Sequence, residues 1–70
     1  MKNKIKVFRA INELTQAELA EKIEVSRQTI NAIEAGKYIP STTLALKLAE
    51  VFKVNVVEIF ELEASDWKDK

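Results

Sequence analysis

Residues Thr15 to Gly36, TQAELAEKIEVSRQTINAIEAG, leave this chain little choice of fold. Thr15 followed three places later by Glu18 fits a capping box, in which each side chain satisfies a backbone N–H that the first helical turn leaves unpaired. A helix therefore begins near Gln16. Its apolar residues Ala17, Leu19, Ala20 and Ile23 recur at spacings of three and four, whereas Glu18, Glu21 and Lys22 fall on the other side. Ser26 is the next good N-cap, and Ile30 and Ile33 are apolar and three apart, with Arg27, Gln28, Asn31 and Glu34 around them. A second helix thus runs from about Arg27 to Ala35, and Gly36 supplies a left-handed C-cap. Only Glu24 and Val25 separate the first helix from the cap of the second. The two axes must turn sharply, burying Leu19, Ala20, Ile23, Val25, Ile30 and Ile33 against one another, with Ala20 small enough to let the helices approach.

Two short capped helices joined by a tight turn have the layout of a helix-turn-helix, which points to DNA. Bulk properties narrow the field further. Seventy residues make one domain with a core that is marginal unless helices pack tightly or copies associate, so a homodimer is expected from size alone. The absence of Cys and His removes disulfides, Cys/His zinc sites, thiol catalysis and any imidazole base, so no enzyme and no cofactor is expected. No apolar run approaches the ~20 residues of a membrane span, and charges interrupt the N-terminus too often for a signal peptide, so the chain is expected in the cytoplasm. No small-molecule ligand is indicated.

Formal net charge is zero, but the halves differ. Residues 1–37 hold seven Lys or Arg against five Glu, and residues 38–70 hold four against six acidic residues. That split weakly favours DNA at the N-terminal half. The one dense basic cluster, Lys2, Lys4, Lys6 and Arg9, reads first as a solvated helix face.

Ile5, Phe8 and Ile11, with Val7 and Leu14 nearby, predict a helix from about Lys4 to Glu13 that lays its apolar side on the helix pair. After Gly36, Lys37-Tyr38-Ile39-Pro40 is a loop, because Pro40 disfavours helical geometry at Ile39, and Ser41 is a ready N-cap. A helix from about Thr42 to Phe52 follows, with Leu44, Ala45, Leu48, Ala49, Val51 and Phe52 as a broad apolar stripe. Asn55 with Glu58 resembles another cap and opens a short fifth helix from Val56 to about Leu62. The expected fold is all-α, five helices over residues 1–62, with residues 63–70 a frayed polar tail.

In this register the chain resembles the lambda-repressor-like, Cro/C1-type (XRE) helix-turn-helix family over about Lys4 to Leu62. The residues carrying the likeness are Arg9, Leu14-Thr15-Gln16, Leu19-Ala20, Ile23, Val25-Ser26, Ile30, Ile33-Glu34 and Gly36, then Pro40, Leu44, Leu48-Ala49 and Phe52. The resemblance implies a compact five-helix domain whose third helix enters the major groove of double-stranded DNA, and dimers on pseudo-palindromic operators with half-sites about one helical turn, roughly 34 Å, apart. It also implies that Arg9 and Glu34 join the first helix to the end of the recognition helix, as a partly buried structural ion pair. One departure is Glu24, where the family usually has Gly. A left-handed backbone there costs a non-Gly residue on the order of 1 kcal/mol.

Side chains at the start of a recognition helix reach base edges first. Arg27, Gln28 and Asn31 are the candidates, since Arg pairs bidentately with guanine and Gln or Asn with adenine. Arg27 has holding a phosphate as its alternative; Ala32 stands where some members of the family carry a longer base-reading side chain, which implies fewer bases read there or contact with a thymine methyl. Gln16 is expected at a phosphate, as are Lys37 and Tyr38 in the loop and Ser41 and Thr42 at the next helix start. Thr29 either touches phosphate or packs. Val57, Phe60, Leu62 and Trp67 are more apolar surface than a short terminal segment leaves in water, and with Leu46 they suggest a homodimer seam. The alternative has Ile59 and Phe60 completing the core with Trp67 folded over them. A regulator of transcription, most simply a repressor that blocks a promoter, is the function expected. A protein-binding module, antitoxin-like and using the apolar C-terminal segment, is the alternative from another class.

Overall fold

The computed structural model describes residues 1–67. Its helices are α1 (Ile5–Ile11), α2 (Gln16–Ile23), α3 (Arg27–Glu34), α4 (Thr42–Phe52) and α5 (Val56–Ile59). Two short strands, β1 (Lys2–Asn3) and β2 (Phe60–Glu61), and a 3-10 turn at Ala64–Trp67 complete it.

Helix starts follow the caps. Thr15 Oγ1 accepts from the Glu18 N–H at 3.0 Å and the Thr15 N–H donates to Glu18 Oε1 at 2.9 Å, closing the capping box. Ser26 and Ser41 each accept from the N–H three residues on, at 3.2 Å. At α5 the Asn55 N–H donates to Glu58 Oε2 at 2.9 Å. Helix ends follow left-handed residues, and here the chain is unusual. Gly36 takes φ +78°, but Glu13, Glu24 and Lys53 also stand at φ between 55° and 64°. Each of these three keeps a side chain in a conformation that costs roughly 1 kcal/mol. The left-handed Glu13 stops α1 at Ile11, short of the predicted Glu13, and the Leu14 N–H then returns to the Arg9 carbonyl at 2.9 Å. Ile11, predicted to face the core, is 68% exposed, because six residues after the buried Ile5 it lies about 120° around the helix from it.

Ten residues form the core: Ile5, Leu19, Ala20, Ile23, Ile30, Ile33, Leu44, Leu48, Phe52 and Ile59. All five helices contribute, and Phe8 stacks on Phe52 with ring centroids 5.5 Å apart. Val25 packs against the core without being fully buried.

The C-terminal segment departs most from the sequence reading. The fifth helix ends at Ile59, not Leu62, and Phe60–Glu61 pair antiparallel with Lys2–Asn3. The Lys4 N–H adds a bond to the Ile59 carbonyl at 2.8 Å. Two-residue strands carry no alternation long enough to detect, and the partner is almost the whole chain away. Nor is the tail frayed where it is described. The Glu63 N–H donates to Asp66 Oδ2 at 2.7 Å, and the Met1 ammonium sits 2.8 Å from Glu63 and 3.3 Å from Asp66. Of the predicted tail, residues 68–70 lie outside the described residues. Among the described residues no helix is long and apolar enough to cross a membrane.

Candidate nucleic-acid interface

Because Ser26 caps α3 from outside, the first helical residues Arg27 and Gln28 project from its N-terminal end, and both are exposed. Asn31 lies one turn further on and is also exposed. Thr29 is half-buried with its Oγ1 3.0 Å from Ser26 Oγ, so its hydroxyl belongs partly to the cap. Ala32 is half-buried.

A polar hub runs along this face of α3 to its last residue, Glu34. Arg9 Nε donates to Glu34 Oε2 at 2.7 Å and Arg9 Nη2 to Glu34 Oε1 at 3.3 Å, a forked pair, while Arg9 Nη1 donates to the Leu14 carbonyl at 3.0 Å. The two side chains are only 16% and 7% exposed. Burial acts to raise the Glu34 pKa, but hydrogen bonds from Arg9 and Gln16 and the charges of Arg9 and Lys6 outweigh it, and the carboxyl lies below its ordinary value. Glu34 is thus a partly buried anion held charged.

Gln16, the first residue of α2, joins this hub. Its Nε2 donates to Glu34 Oε1 at 3.0 Å and to Asn31 Oδ1 at 3.4 Å, and its Oε1 accepts from Arg27 Nη1 at 3.3 Å. Two side chains expected at bases and one expected at a phosphate therefore form a single network rooted in Glu34. Lys4 and Lys6 line the same surface depression as Gln16, Asn31 and Glu34. The basic cluster read as a solvated face borders the site, and its i, i+3 step from Lys6 to Arg9 was the signal available.

At the other end of α3, Gly36 turns the chain and the Lys37 N–H closes on the Ala32 carbonyl at 2.9 Å. Lys37, Tyr38, Ser41 and Thr42 are all exposed, with Ser41 Oγ engaged as the α4 cap. Eight residues of helix separate the two ends, a span of about 12 Å. Glu24 is drawn to Lys47 of α4, whose Nζ lies 3.5 Å from Glu24 Oε1 and 3.4 Å from the Ile23 carbonyl. An exposed pair of this kind contributes about 0–1 kcal/mol, enough to offset part of the strain at Glu24.

Of the residues expected at a dimer seam, Val57, Leu62 and Trp67 are exposed, as is Leu46. Phe60 packs in part against the core while lining a shallow groove with Leu46, Ala45 and Val56. Ile59 completes the core, but Trp67 does not fold over it and stays 75% exposed.

Residues 5–59 match the family described as Helix-turn-helix. The chain is 57% identical over 63 residues to an uncharacterised HTH-type transcriptional regulator of Methanocaldococcus jannaschii, covering 90% of this chain and 96% of that one. A second, from Bacillus subtilis, is 46% identical over 63 residues with the same coverage, 90% and 96%. Among solved structures, a candidate DNA-binding protein from Bacteroides fragilis superposes with TM-score 0.75 at 33% identity, over 83% of this chain and 94% of that one. The SOS-response transcriptional repressor LexA from Eubacterium rectale gives TM-score 0.75 at 30% identity, over 94% of this chain and 70% of that one. A capped α2–α3 pair packed on three further helices, matched over nearly its whole length, makes this chain a member of the Cro/C1-type (XRE) helix-turn-helix family of transcriptional regulators.

Proposed function

We propose that this chain is a sequence-specific DNA-binding regulator that works by binding, not by catalysis, and inserts α3 into the major groove. The observation carrying this reading is the exposed face of α3, where Arg27, Gln28 and Asn31 stand in solvent and Arg27 and Asn31 are tied to Gln16 at the N-terminus of α2. Arg27, Gln28 and Asn31 contact bases. Gln16, Thr29, Lys37, Tyr38, Ser41 and Thr42 contact phosphates and set the register. Residues 1–62 form the binding domain, and the protein acts in the cytoplasm, where bacterial and archaeal DNA lies.

The chain binds as a homodimer through Val57, Phe60, Leu62 and Trp67, on a pseudo-palindrome whose half-sites are about 34 Å apart. Support comes from the exposed apolar side chains at this end and from the groove that Leu46 and Phe60 share. Repression is the output favoured, since a bound dimer blocks a promoter by occupancy alone, and the LexA neighbour is a transcriptional repressor. Selection from a random duplex pool tests the reading. Enrichment of one palindrome, with affinity falling steeply as salt rises, is the expected result. Equal binding to all duplexes overturns it. The exposed Val57, Leu62 and Trp67 also favour a second reading, an antitoxin-like module that binds another protein through this end. Capture of a heterologous protein without any operator preference would select it.

A further inference from the structure

Two hydrogen bonds of one amide pin the start of the chain to α3. Asn3 Nδ2 donates to the Ile33 carbonyl at 2.9 Å, and Asn3 Oδ1 accepts from the Ile5 N–H at 3.2 Å. The Lys4 N–H is bonded to the Ile59 carbonyl at 2.8 Å. Lys4 is thereby held near the last turn of α3, and Lys6 follows on the first turn of α1. Both are exposed, and both line one depression with Gln16, Asn31, Glu34 and Ala35.

Charge in this depression is one-sided. Its carboxylate, Glu34, is already forked to Arg9, and that pair is neutral as a whole. Neither Lys4 nor Lys6 forms an ion pair or a side-chain hydrogen bond among the described residues, so their two ammonium charges are left uncompensated. Lys2, from the same basic cluster, stands instead with Glu58 and Glu61 around a neighbouring depression that Lys4 also borders.

Taking α3 as the recognition helix, as proposed above, we infer that Lys4 and Lys6 form a phosphate clamp that grips the DNA strand running past the α1 side of α3. The major groove is only ~12 Å wide, so a helix lying in it has a phosphate chain along each flank. Lys37, Tyr38, Ser41 and Thr42 serve the end where the chain leaves α3. On the α1 side Gln16 is neutral and Arg9 is committed to Glu34, which leaves the two lysines to meet the strand. An ammonium meets phosphate as a compact point charge and needs proximity rather than a fixed fork. The clamp adds affinity and register but no choice of base.

The test is binding of the full chain, titrated over a range of salt, to the duplex that the unchanged chain enriches. Each lysine that displaces a counterion contributes about 0.9 to the slope of log affinity against log salt for every protomer bound. Lys6→Gln and Lys4→Gln should each lower the slope by about that amount, weaken enriched and random duplexes alike, and leave the enriched sequence as it was. Lys6→Arg should keep the slope, and Lys2→Gln should not alter it. A neutral methylphosphonate at the contacted phosphate should abolish the difference between Lys6→Gln and the unchanged chain. Both lysines are exposed, so melting should stay within ~0.5 kcal/mol of the unchanged chain.

Three results overturn the inference alone. Unaltered slopes in Lys6→Gln and Lys4→Gln return the cluster to a solvated face. A fall in Lys2→Gln as large as in the other two marks a diffuse field with no site in it. A changed base preference in Lys6→Gln puts that lysine on a base edge. Failure to enrich any duplex overturns the DNA-binding reading and this inference with it.

Discussion

The two ends of this molecule are held together by different chemistry. Where α1, α2 and α3 meet, a buried ion pair and an amide fix polar groups in direction as well as position. On the C-terminal side, α5 and the strand pair are joined by backbone bonds and by the Met1 ammonium with Glu63 and Asp66, and the large side chains left over, Val57, Leu62 and Trp67, are apolar and exposed. Directed hydrogen bonds discriminate between partners that differ by one atom, whereas apolar area attracts without such discrimination. On the function proposed above, selectivity falls to the first region and association to the second.

The contrast breaks most severely at Arg9. Arg9→Met leaves Glu34 buried without its partner and should cost ~3–5 kcal/mol in urea melts, with the paired variant Arg9→Met/Glu34→Leu recovering much of the loss. A cost under ~1 kcal/mol would mean that water reaches Glu34, against the low exposure of the pair.

Acid probes the same hub. The folded-state pKa of Glu34 is depressed, so its stabilisation is fully present above the unfolded value, about 4.3, and is lost as pH falls through the lower folded value. Asp66 at the other end is also lowered, through the Glu63 N–H it accepts and the Met1 ammonium. Acid melts of Glu34→Gln and Asp66→Asn should each flatten the acid limb relative to the unchanged chain.

Arg27→Ala is expected to weaken operator binding by ~1–3 kcal/mol and to relax choice at one base pair, with little change in melting. A uniform loss across all sequences, read by competition binding, would reassign Arg27 to a phosphate. Smaller still is Glu24→Gly, which relieves a left-handed side chain at φ 64° and should add up to ~1 kcal/mol, less what the Lys47 pair supplied. Val57→Asp, at 78% exposure, should change monomer stability by less than ~0.5 kcal/mol while shifting sedimentation of the protein from dimer to monomer.

Legibility in the sequence followed the range of the interaction. Thr15, Ser26, Ser41 and Gly36 act within four residues of themselves, and each marks its helix boundary in the text as in the structure. Ile11 falls off the core face because two successive steps of three residues from Ile5 drift about 120° around the helix, which a repeated spacing of three conceals. The strand pair joins residue 2 to residue 61, and nothing local to either announces the other. Arg9 and Glu34 came as a pair only through the family likeness. The bond from Gln16 to Glu34 bridges 18 residues, so Gln16 could be placed at a helix start and no further.

Trp67 is the single tryptophan of the chain, and its ring stands in water. Its emission is therefore expected to lie near that of hydrated tryptophan before any denaturant is added, with little left for unfolding to change. Covering the ring by a second copy or another protein would shift the emission to shorter wavelength. The chain thus carries a built-in optical probe that is nearly silent to folding and responsive to company.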